Sequence, residues 1–255
     1  ISEQFSKFVK HKNQIIDLLH QGQSINKISK RLNIGKSTIY YHYKKINGKK
    51  NKPISFHFEN NNELGEFLGI FAGDGHYHCS KNYQHIIQIY AGAYETGYRR
   101  YLEETLTRWF GKKPRIYHTL YKGKPSCYTF TYYSKTIREL IAKYLIWEGK
   151  KTYTVRLVKL DKNNHEFNLG FLRGLIDTDG SYYAPKRRIS FSTVSPRLAH
   201  NALMIIHQSC HLNPFMDKWE KIGKADIYTL TLHGKNTTRF LDWVRPNNPN
   251  KALVV

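Results

Sequence analysis

The chain has few acidic residues and few cysteines, and it lacks any long apolar run. Its 255 residues contain 19 Asp and Glu against 41 Lys and Arg. No apolar stretch approaches the ~18 residues that a membrane-spanning helix needs, which argues against insertion into a membrane. The three cysteines, Cys79, Cys127 and Cys210, are scattered and odd in number. They argue against a disulfide scaffold and favour a reducing, intracellular compartment.

The basic excess is the main feature of the composition. A formal net charge of +22 calls for a polyanionic partner, and nucleic acid is the commonest one. The other interpretations are an acidic membrane surface or a solvated basic face. With 40% hydrophobic residues the chain can bury one or two ordinary cores, so we expect a folded, DNA-associated protein of one or two domains.

Residues 1–46 are predicted to form a small all-α unit. Ser24 is a good N-cap, and Asn33 stands at a turn where a left-handed backbone is often needed. The segment between them and beyond, SINKISKRLNIGKSTIYYHYKK, spaces its isoleucines and leucine as two helices joined by a tight turn would. It resembles the helix-turn-helix of site-specific recombinases and many repressors. The alternative is a three-helix module that binds protein.

This resemblance implies that a helix beginning at Lys36 enters the major groove of DNA. The candidate contacts on that helix are Lys36, Ser37, Thr38, Tyr41 and His42. Residues 47–58 then read as a basic linker, because Asn47-Gly48 and Pro53 break a helix. Lys49 and Lys50 would lie on the phosphate backbone, or simply in solvent.

An internal repeat organises the rest of the chain. The stretch FLGIFAGDGHY at 67–77 is followed by FLRGLIDTDGSYY at 171–183, and Asp74 and Asp179 are 105 positions apart. Further on, YTFTYYSK at 128–135 corresponds to YTLTLHGK at 228–235. Each copy reads as a glycine-marked helix, two strands, a helix, two strands and a final helix. The repeat therefore predicts an α+β fold of two αββαββα half-domains.

The glycines of the repeat predict how the two copies dock. Gly65, Gly69 and Gly73 recur every fourth residue and so line one helix face, where another backbone can approach closely. The second copy has the same face, so we expect the two helices to pack about a pseudo-two-fold axis. Asp74 and Asp179 would then meet at helix C-termini, where the dipoles disfavour negative charge. Divalent cations such as Mg²⁺ would relieve that repulsion.

The two motifs, FLGIFAGDG and LRGLIDTDG, resemble the signature of the LAGLIDADG homing endonucleases in their single-chain, two-motif form. The second motif matches that signature at seven of nine places. The first departs more, and Ala72 stands where the signature has an acidic residue. The resemblance covers residues 60–245. It implies a saddle with half-domains at 59–150 and 166–255 and an inter-repeat linker at 151–165.

The family resemblance also implies an activity. Asp74 and Asp179, aided by the carbonyls of Gly73 and Thr178, would hold divalent metal (Mg²⁺, or Mn²⁺ or Ca²⁺) between the scissile phosphates. Both strands of a long, non-palindromic DNA site would be hydrolysed by a monomer, leaving 3′ overhangs. The alternatives on the same scaffold are a non-cleaving DNA-binding regulator and a maturase that binds intron RNA.

Other site residues follow from position in the repeat. Lys135 and Lys235 come just after a repeated strand, as the basic residues of the family's catalytic pocket do; the alternative is a solvent-facing first turn of a helix. Glu95 and Ser195 follow the second strand of each half, where the family often has a residue that positions water, although Ser195-Pro196 is more typical of a helix cap. The remaining candidates for DNA contact are Arg99, Arg100, Arg187 and Arg188.

Zinc is a competing interpretation of one short segment. His76 and His78 would share one face of a strand, but Cys79 would lie on the other, and no second close pair completes a tetrahedron. We therefore expect DNA contact or strand packing from these residues instead.

Overall fold

The computed structural model describes residues 2–48, 54–220 and 222–251 and divides the chain into two compact units, Ile1–Pro53 and Ile54–Val255. The division falls inside the stretch expected to be a linker. Over the described ranges, none of the helices has the length and apolar character needed to cross a membrane.

The first unit is helical. Its elements are α1 (Ser2–His20), α2 (Ile25–Leu32) and α3 (Lys36–Asn47). The Oγ of Ser24 accepts the N–H of Lys27 and caps α2, and Asn33 ends it in the left-handed region with φ 51°. Both features confirm the predicted helix-turn-helix. Its small core consists of Ile15, Leu18, Leu19, Ile28 and Ile39.

The second unit contains two copies of one topology. The first half comprises α4 (Asn61–Asp74), β1 (Gly75–Cys79), β2 (His85–Gly92), α5 (Thr96–Phe110), β3 (Arg115–Tyr121), β4 (Lys124–Tyr133) and α6 (Lys135–Tyr144). A short connection follows, with β5 (Leu145–Ile146), α7 (Lys151–Thr154) and β6 (Arg156–Leu157). The second half comprises α8 (His165–Asp179), β7 (Gly180–Tyr183), β8 (Arg188–Thr193), α9 (Pro196–Cys210), β9 (Phe215–Trp219), β10 (Ile227–His233) and α10 (Lys235–Val244).

The sheet order confirms the duplication. The strands run β1-β2-β4-β3 in the first sheet and β7-β8-β10-β9 in the second, all antiparallel. In each sheet alternate residues of a strand, such as Ile87 and Ile89 or Ile189 and Phe191, are buried under the helices. The intervening residues form an open face that carries polar and aromatic side chains.

The glycine-lined helices α4 and α8 pack closely against each other, as predicted. A Cβ at Gly69 would overlap the carbonyl oxygen of Phe171, and one at Gly174 would overlap that of Glu66. Backbone therefore contacts backbone along this interface, and only glycine leaves room for it.

Two segments expected to be linkers carry structure. Phe58 packs against Phe67 and Trp109, so residues 54–58 belong to the second unit and not to a free tether. The stretch 151–165 contains α7 and β6, and its first residue, Lys151, reaches the end of α4. Lys49 and Lys50 lie outside the described residues.

Candidate active site

The carboxylates of Asp74 and Asp179 come together because each is the last residue of one of the two docked helices. A Cβ at Gly73, the residue before Asp74, would lie 2.9 Å from Oδ2 of Asp179. Burial, and next the charge of Asp179, raise the pKa of Asp74 to about 7. Asp179 is more exposed to solvent than Asp74. Partial burial nevertheless raises the pKa of Asp179, while the positive charges of Lys151 and Lys251 lower it. The site thus disfavours its own negative charge.

Two lysines that sequence reasoning missed complete this site. The Nζ of Lys151 donates to the carbonyl oxygens of Phe71 (2.9 Å), Ala72 (2.6 Å) and Gly73 (3.1 Å) at the end of α4. The Nζ of Lys251 donates to the carbonyl oxygens of Asp177 (2.9 Å) and Thr178 at the end of α8. The ammonium groups satisfy helix carbonyls that have no partner within the helix.

The internal repeat could have indicated from the sequence that these two lysines are equivalent. Lys151 and Lys251 are 100 positions apart, the same spacing as YTFTYYSK and YTLTLHGK. Burial lowers the pKa of Lys151 to about 8, although Asp179 and Asp74 counteract that shift. The pKa of Lys251 is lowered for the same reason.

Lys135 and Lys235, the lysines proposed from the sequence, are not brought to the carboxylates. Each is the first residue of a helix and is exposed, and Lys135 forms an ion pair with Glu139 at 3.5 Å. The charges that act on Asp74 and Asp179 are instead those of Lys151 and Lys251. The expectation is corrected accordingly: a lysine at a helix start projects into solvent here, whereas the lysines after α6 and α10 return to the site.

Glu95 and Ser195 take different roles. Glu95 lies close enough to Asp74 for its charge to raise the pKa of that residue, and its Oε2 accepts the N–H of Gly92 at 2.9 Å. Ser195 is buried; its Oγ accepts the N–H of Leu198 and donates to the carbonyl of Val155. Ser195 is therefore a helix cap, the interpretation that its sequence favoured.

A cavity of about 460 Å³ lies beside Asp74. His76, Tyr90, Trp147 and Lys151 are among the residues that line it. His76 and His78 share the open face of β1 as alternation predicted, with ring centroids 5.5 Å apart. The cavity therefore connects the carboxylate site with the open face of the first sheet.

The open faces of the two sheets carry polar and aromatic side chains that the residue-level predictions mostly missed. By strand register the first includes His76, His78, Gln88, Tyr90, Arg115, Tyr117 and Tyr133; Thr129 and Thr131 share that register but are buried. The second includes Ser181, Tyr183, Arg188, Ser190, Ser192, Phe215, Asp217, Trp219, Thr229, Thr231 and His233. Side chains of these types can contact base edges and phosphates.

The predicted arginines divide between the two sides of the sheets. Arg188 lies on the open face, with its guanidinium over the ring of Tyr183, and Arg187 is exposed beside it. Arg99 instead stacks on Tyr128 at 4.1 Å, on the side that the helices cover, and Arg100 lies on the same helix. Arg99 therefore lies on the helix-covered side of the first sheet, whereas Arg188 lies on the open face of the second.

In the helical unit, Lys36, Ser37, Thr38 and Tyr41 are exposed on α3, as a recognition helix requires. His42 is only 6% exposed, which corrects its assignment as a DNA contact. It lies three residues after the core residue Ile39, on the inner face of the helix.

The donor set at the helix ends fits a hard divalent cation. Across the described ranges, no group of three or more His, Cys, Asp or Glu residues is placed to hold a metal ion. A cation here would rest on the two carboxylates, with water and phosphate oxygens completing its shell, which is typical of Mg²⁺ and not of zinc. The carbonyls of Gly73 and Thr178 accept lysine hydrogen bonds, but each oxygen has a second lone pair.

Two glycine-docked αββαββα halves with acidic helix ends define a LAGLIDADG-type fold, and comparison with known families agrees. Residues 166–244 match the LAGLIDADG-like domain, and residues 7–45 match the helix-turn-helix domain of resolvase. The matched regions are thus a LAGLIDADG-like segment in the second half of the second unit and a resolvase-type helix-turn-helix segment in the first unit.

Solved structures show the same fold at low sequence identity. Mesophilic variants of the homing endonuclease I-DmoI superpose with a TM-score of 0.54 at 11% identity, covering 72% of this chain and 95% of theirs. An I-DmoI variant with nicked target DNA and Mn gives 0.54 at 12%, covering 72% and 96%. I-DmoI with DNA and Ca gives 0.50 at 13%, covering 73% and 91%. No curated protein matches the chain by sequence.

Proposed function

We propose that the protein is a site-specific endonuclease that uses divalent metal to hydrolyse both strands of a DNA duplex, leaving 3′ overhangs. The observation that carries this proposal is the meeting of Asp74 and Asp179 at the ends of two glycine-docked helices. Burial raises the pKa values of both carboxyl groups, and the charge of Asp179 adds to that rise at Asp74, so their ionised forms are disfavoured in the folded protein; a cation-binding role accounts for their presence. The duplication supplies one such carboxylate for each strand.

The chain's own residues would divide the work as follows. Asp74 and Asp179 hold Mg²⁺, with the carbonyls of Gly73 and Thr178 as further oxygen ligands. A bound cation would supply Lewis-acid stabilisation of the phosphate and a more acidic water. Lys151 and Lys251 place positive charge beside the carboxylates, where it can stabilise charge that develops on phosphate oxygens. Glu95, close to Asp74, is suited to orient water.

Binding would come from the open faces of the two sheets, assisted by the net charge of +22. Because the two halves have different side chains on these faces, the recognised site would be non-palindromic and the chain would act as a monomer. The helix-turn-helix unit, through Lys36, Ser37, Thr38 and Tyr41, would lengthen that site or increase affinity. Such a protein would work inside the cell, on DNA. The DNA-bound, metal-containing structures of I-DmoI support this assignment by fold.

Cleavage of a candidate site tests the proposal. The protein is incubated with a library of DNA sites and Mg²⁺, and so are Asp74→Asn and Asp179→Asn. We expect the parent to cut both strands, each single variant to lose cutting of one strand more than the other, and all three proteins to bind DNA. A parent that binds a site tightly but cuts neither strand would show a non-cleaving regulator. Selective binding of structured intron RNA with no DNA cleavage would show a maturase.

A further inference from the structure

The segment after α10 crosses from the second half of the unit to the first. We call residues 247–251 the strap. The Nδ2 of Asn247 donates to Oε1 of Glu66 and to the hydroxyl of Tyr101, both at 2.8 Å. Two residues later, Pro249 lies over Gly97, where a Cβ would be 3.0 Å from the proline ring. The strap thus contacts α4 and α5 of the first half.

Asn248 is the centre of the strap and is fully buried. Its N–H donates to Oδ1 of Asp177 at 2.8 Å, and its Nδ2 donates both to the carbonyl of Asp177 (3.0 Å) and to Oε1 of Glu95 (2.8 Å). One side chain therefore joins the end of α8 to the start of α5 in the other half. Because it is buried, each of these bonds would be costly to lose.

The same residue sets the path of the chain to Lys251. The N–H of Lys251 donates to the carbonyl of Asn248 at 2.9 Å, which closes a turn. The Nζ of Lys251 then reaches the carbonyls of Asp177 and Thr178, the residues just before Asp179. Asn248 and Lys251 thus hold the same carbonyl, that of Asp177, from two directions.

The first half lacks this arrangement at the equivalent positions, 100 residues earlier. Glu148 stands in the place of Asn248, is exposed, and pairs with Arg156 at 3.3 Å. Ala72 stands where the second half has Asp177, so it offers no side-chain acceptor. In the first half Trp147, four residues before Lys151, packs against Phe71 of the same half, so this contact does not bridge the two halves.

We propose that Asn248 is a positioning residue that makes the second centre, Asp179 with Lys251, depend on the docking of the two halves. In the first centre, Lys151 reaches the end of α4 without an equivalent residue, because Glu148 is exposed. Asp177 is then retained in the second motif to hold the strap, and Ala72 is tolerated in the first because no strap residue needs it. The positioning claim stands on geometry alone; its consequence for strand cleavage rests on the proposed function.

Amine labelling tests the positioning directly, without any activity. The protein is treated briefly with acetic anhydride, and each lysine is quantified by mass spectrometry. In Asn248→Ala we expect Lys251 to label at least 10-fold faster than in the parent, while Lys151 keeps its rate; Glu148→Ala, the matched change in the first half, should alter neither. Asn248→Ser, a milder change, serves if the alanine variant unfolds, which would expose both lysines. Unchanged protection of Lys251 in a folded Asn248 variant would overturn the proposal.

Strand-specific cleavage tests the consequence. On supercoiled plasmid that contains the target site, we expect the parent to give linear DNA and Asn248→Ala to accumulate nicked circles. The strand whose cutting is impaired by Asp179→Asn should be cut at least 10-fold more slowly by Asn248→Ala, and the other strand should keep most of its rate. Equal slowing of both strands would show a merely structural strap and overturn the proposal. If the parent cuts no DNA, the proposed function fails, and the labelling of Lys251 still decides the positioning role of Asn248.

Discussion

Lys151 and Lys251 stand 100 positions apart and cap the ends of the two signature helices in the same way. Each follows the last helix of its half and returns to the helix that opened it. The pair shows that the duplication extends beyond the αββαββα core to the residues that finish the site.

We expect Lys151→Met to lower cleavage of one strand by about 10²-fold, because it removes a positive charge that stabilises developing phosphate charge. It should also destabilise the protein by about 1–3 kcal/mol, since the carbonyls of residues 71–73 lose their donor. Strand-labelled DNA measures the first effect and urea denaturation the second. The control is Lys135→Met, at an exposed lysine, which should change neither; if it abolishes cleavage while Lys151→Met does not, the original assignment of the catalytic lysine is restored.

Metal-free protein should lose stability as the pH rises from about 4 to 7, because the pKa of Asp74 is raised on folding from its ordinary value to about 7. A carboxyl with a raised pKa binds a proton more readily in the folded state, so the folded state is favoured below that range and penalised above it. Asp74→Asn removes the penalty, and we expect it to stabilise the metal-free protein at pH 8 by about 1–2 kcal/mol, a value reduced for partial solvent screening.

Thermal denaturation at pH 5 and pH 8, with and without Mg²⁺, measures this effect. Mg²⁺ should stabilise the parent at pH 8 and have less effect on Asp74→Asn, because a ligand that binds the folded state raises its stability. An Asp74→Asn protein that is less stable than the parent at pH 8 without metal would show that Asp74 supports the fold.

The sequence predicts the architecture well because the architecture depends on local patterns. Glycines four apart define a helix face whatever surrounds them, and the structure packs Gly69 and Gly174 against backbone. Strands are indicated by runs of Tyr, Ile and Thr, such as the run that forms β3 (Arg115–Tyr121). The burial of His42 was also within reach, since it is three residues after Ile39 on one helix.

The lysines and the strap could not be predicted in this way. Lys151 and Asp74 are far apart in the sequence. The pattern of apolar residues does not predict which residue of the segment between the two halves folds back to the end of α4. The bonds of Asn248 to Asp177 and Glu95 depend on the packing of two separate half-domains. Only the spacing of 100 positions between the two lysines indicated them. That spacing shows that they occupy equivalent positions in the two copies, but not which atoms they contact.

Glycine substitutions along the helix interface should have graded effects. A Cβ at Gly65 would overlap the backbone of Phe167, which cannot move, so Gly65→Ala should cost about 3 kcal/mol or more. A Cβ at Gly73 would instead meet the side chain of Thr178, so Gly73→Ala should cost less, and Thr178→Ala, which removes the closer atom Oγ1 but keeps Cβ, should restore part of the lost stability. Urea denaturation of the three proteins gives the order; equal costs at Gly65 and Gly73 would contradict it.

Arg188 and Arg99 offer a matched test of which side of the sheets faces DNA. Arg188 lies on the open face of the second sheet, whereas Arg99 stacks on Tyr128 under the helices of the first. If the open faces contact the phosphate backbone, Arg188→Ala should weaken binding at every salt concentration and reduce the slope of log K against log salt by about 1. Arg99→Ala should leave that slope unchanged. Fluorescence anisotropy with a labelled duplex over a range of KCl concentrations measures both, and a larger loss of slope at Arg99 would place DNA on the helical side instead.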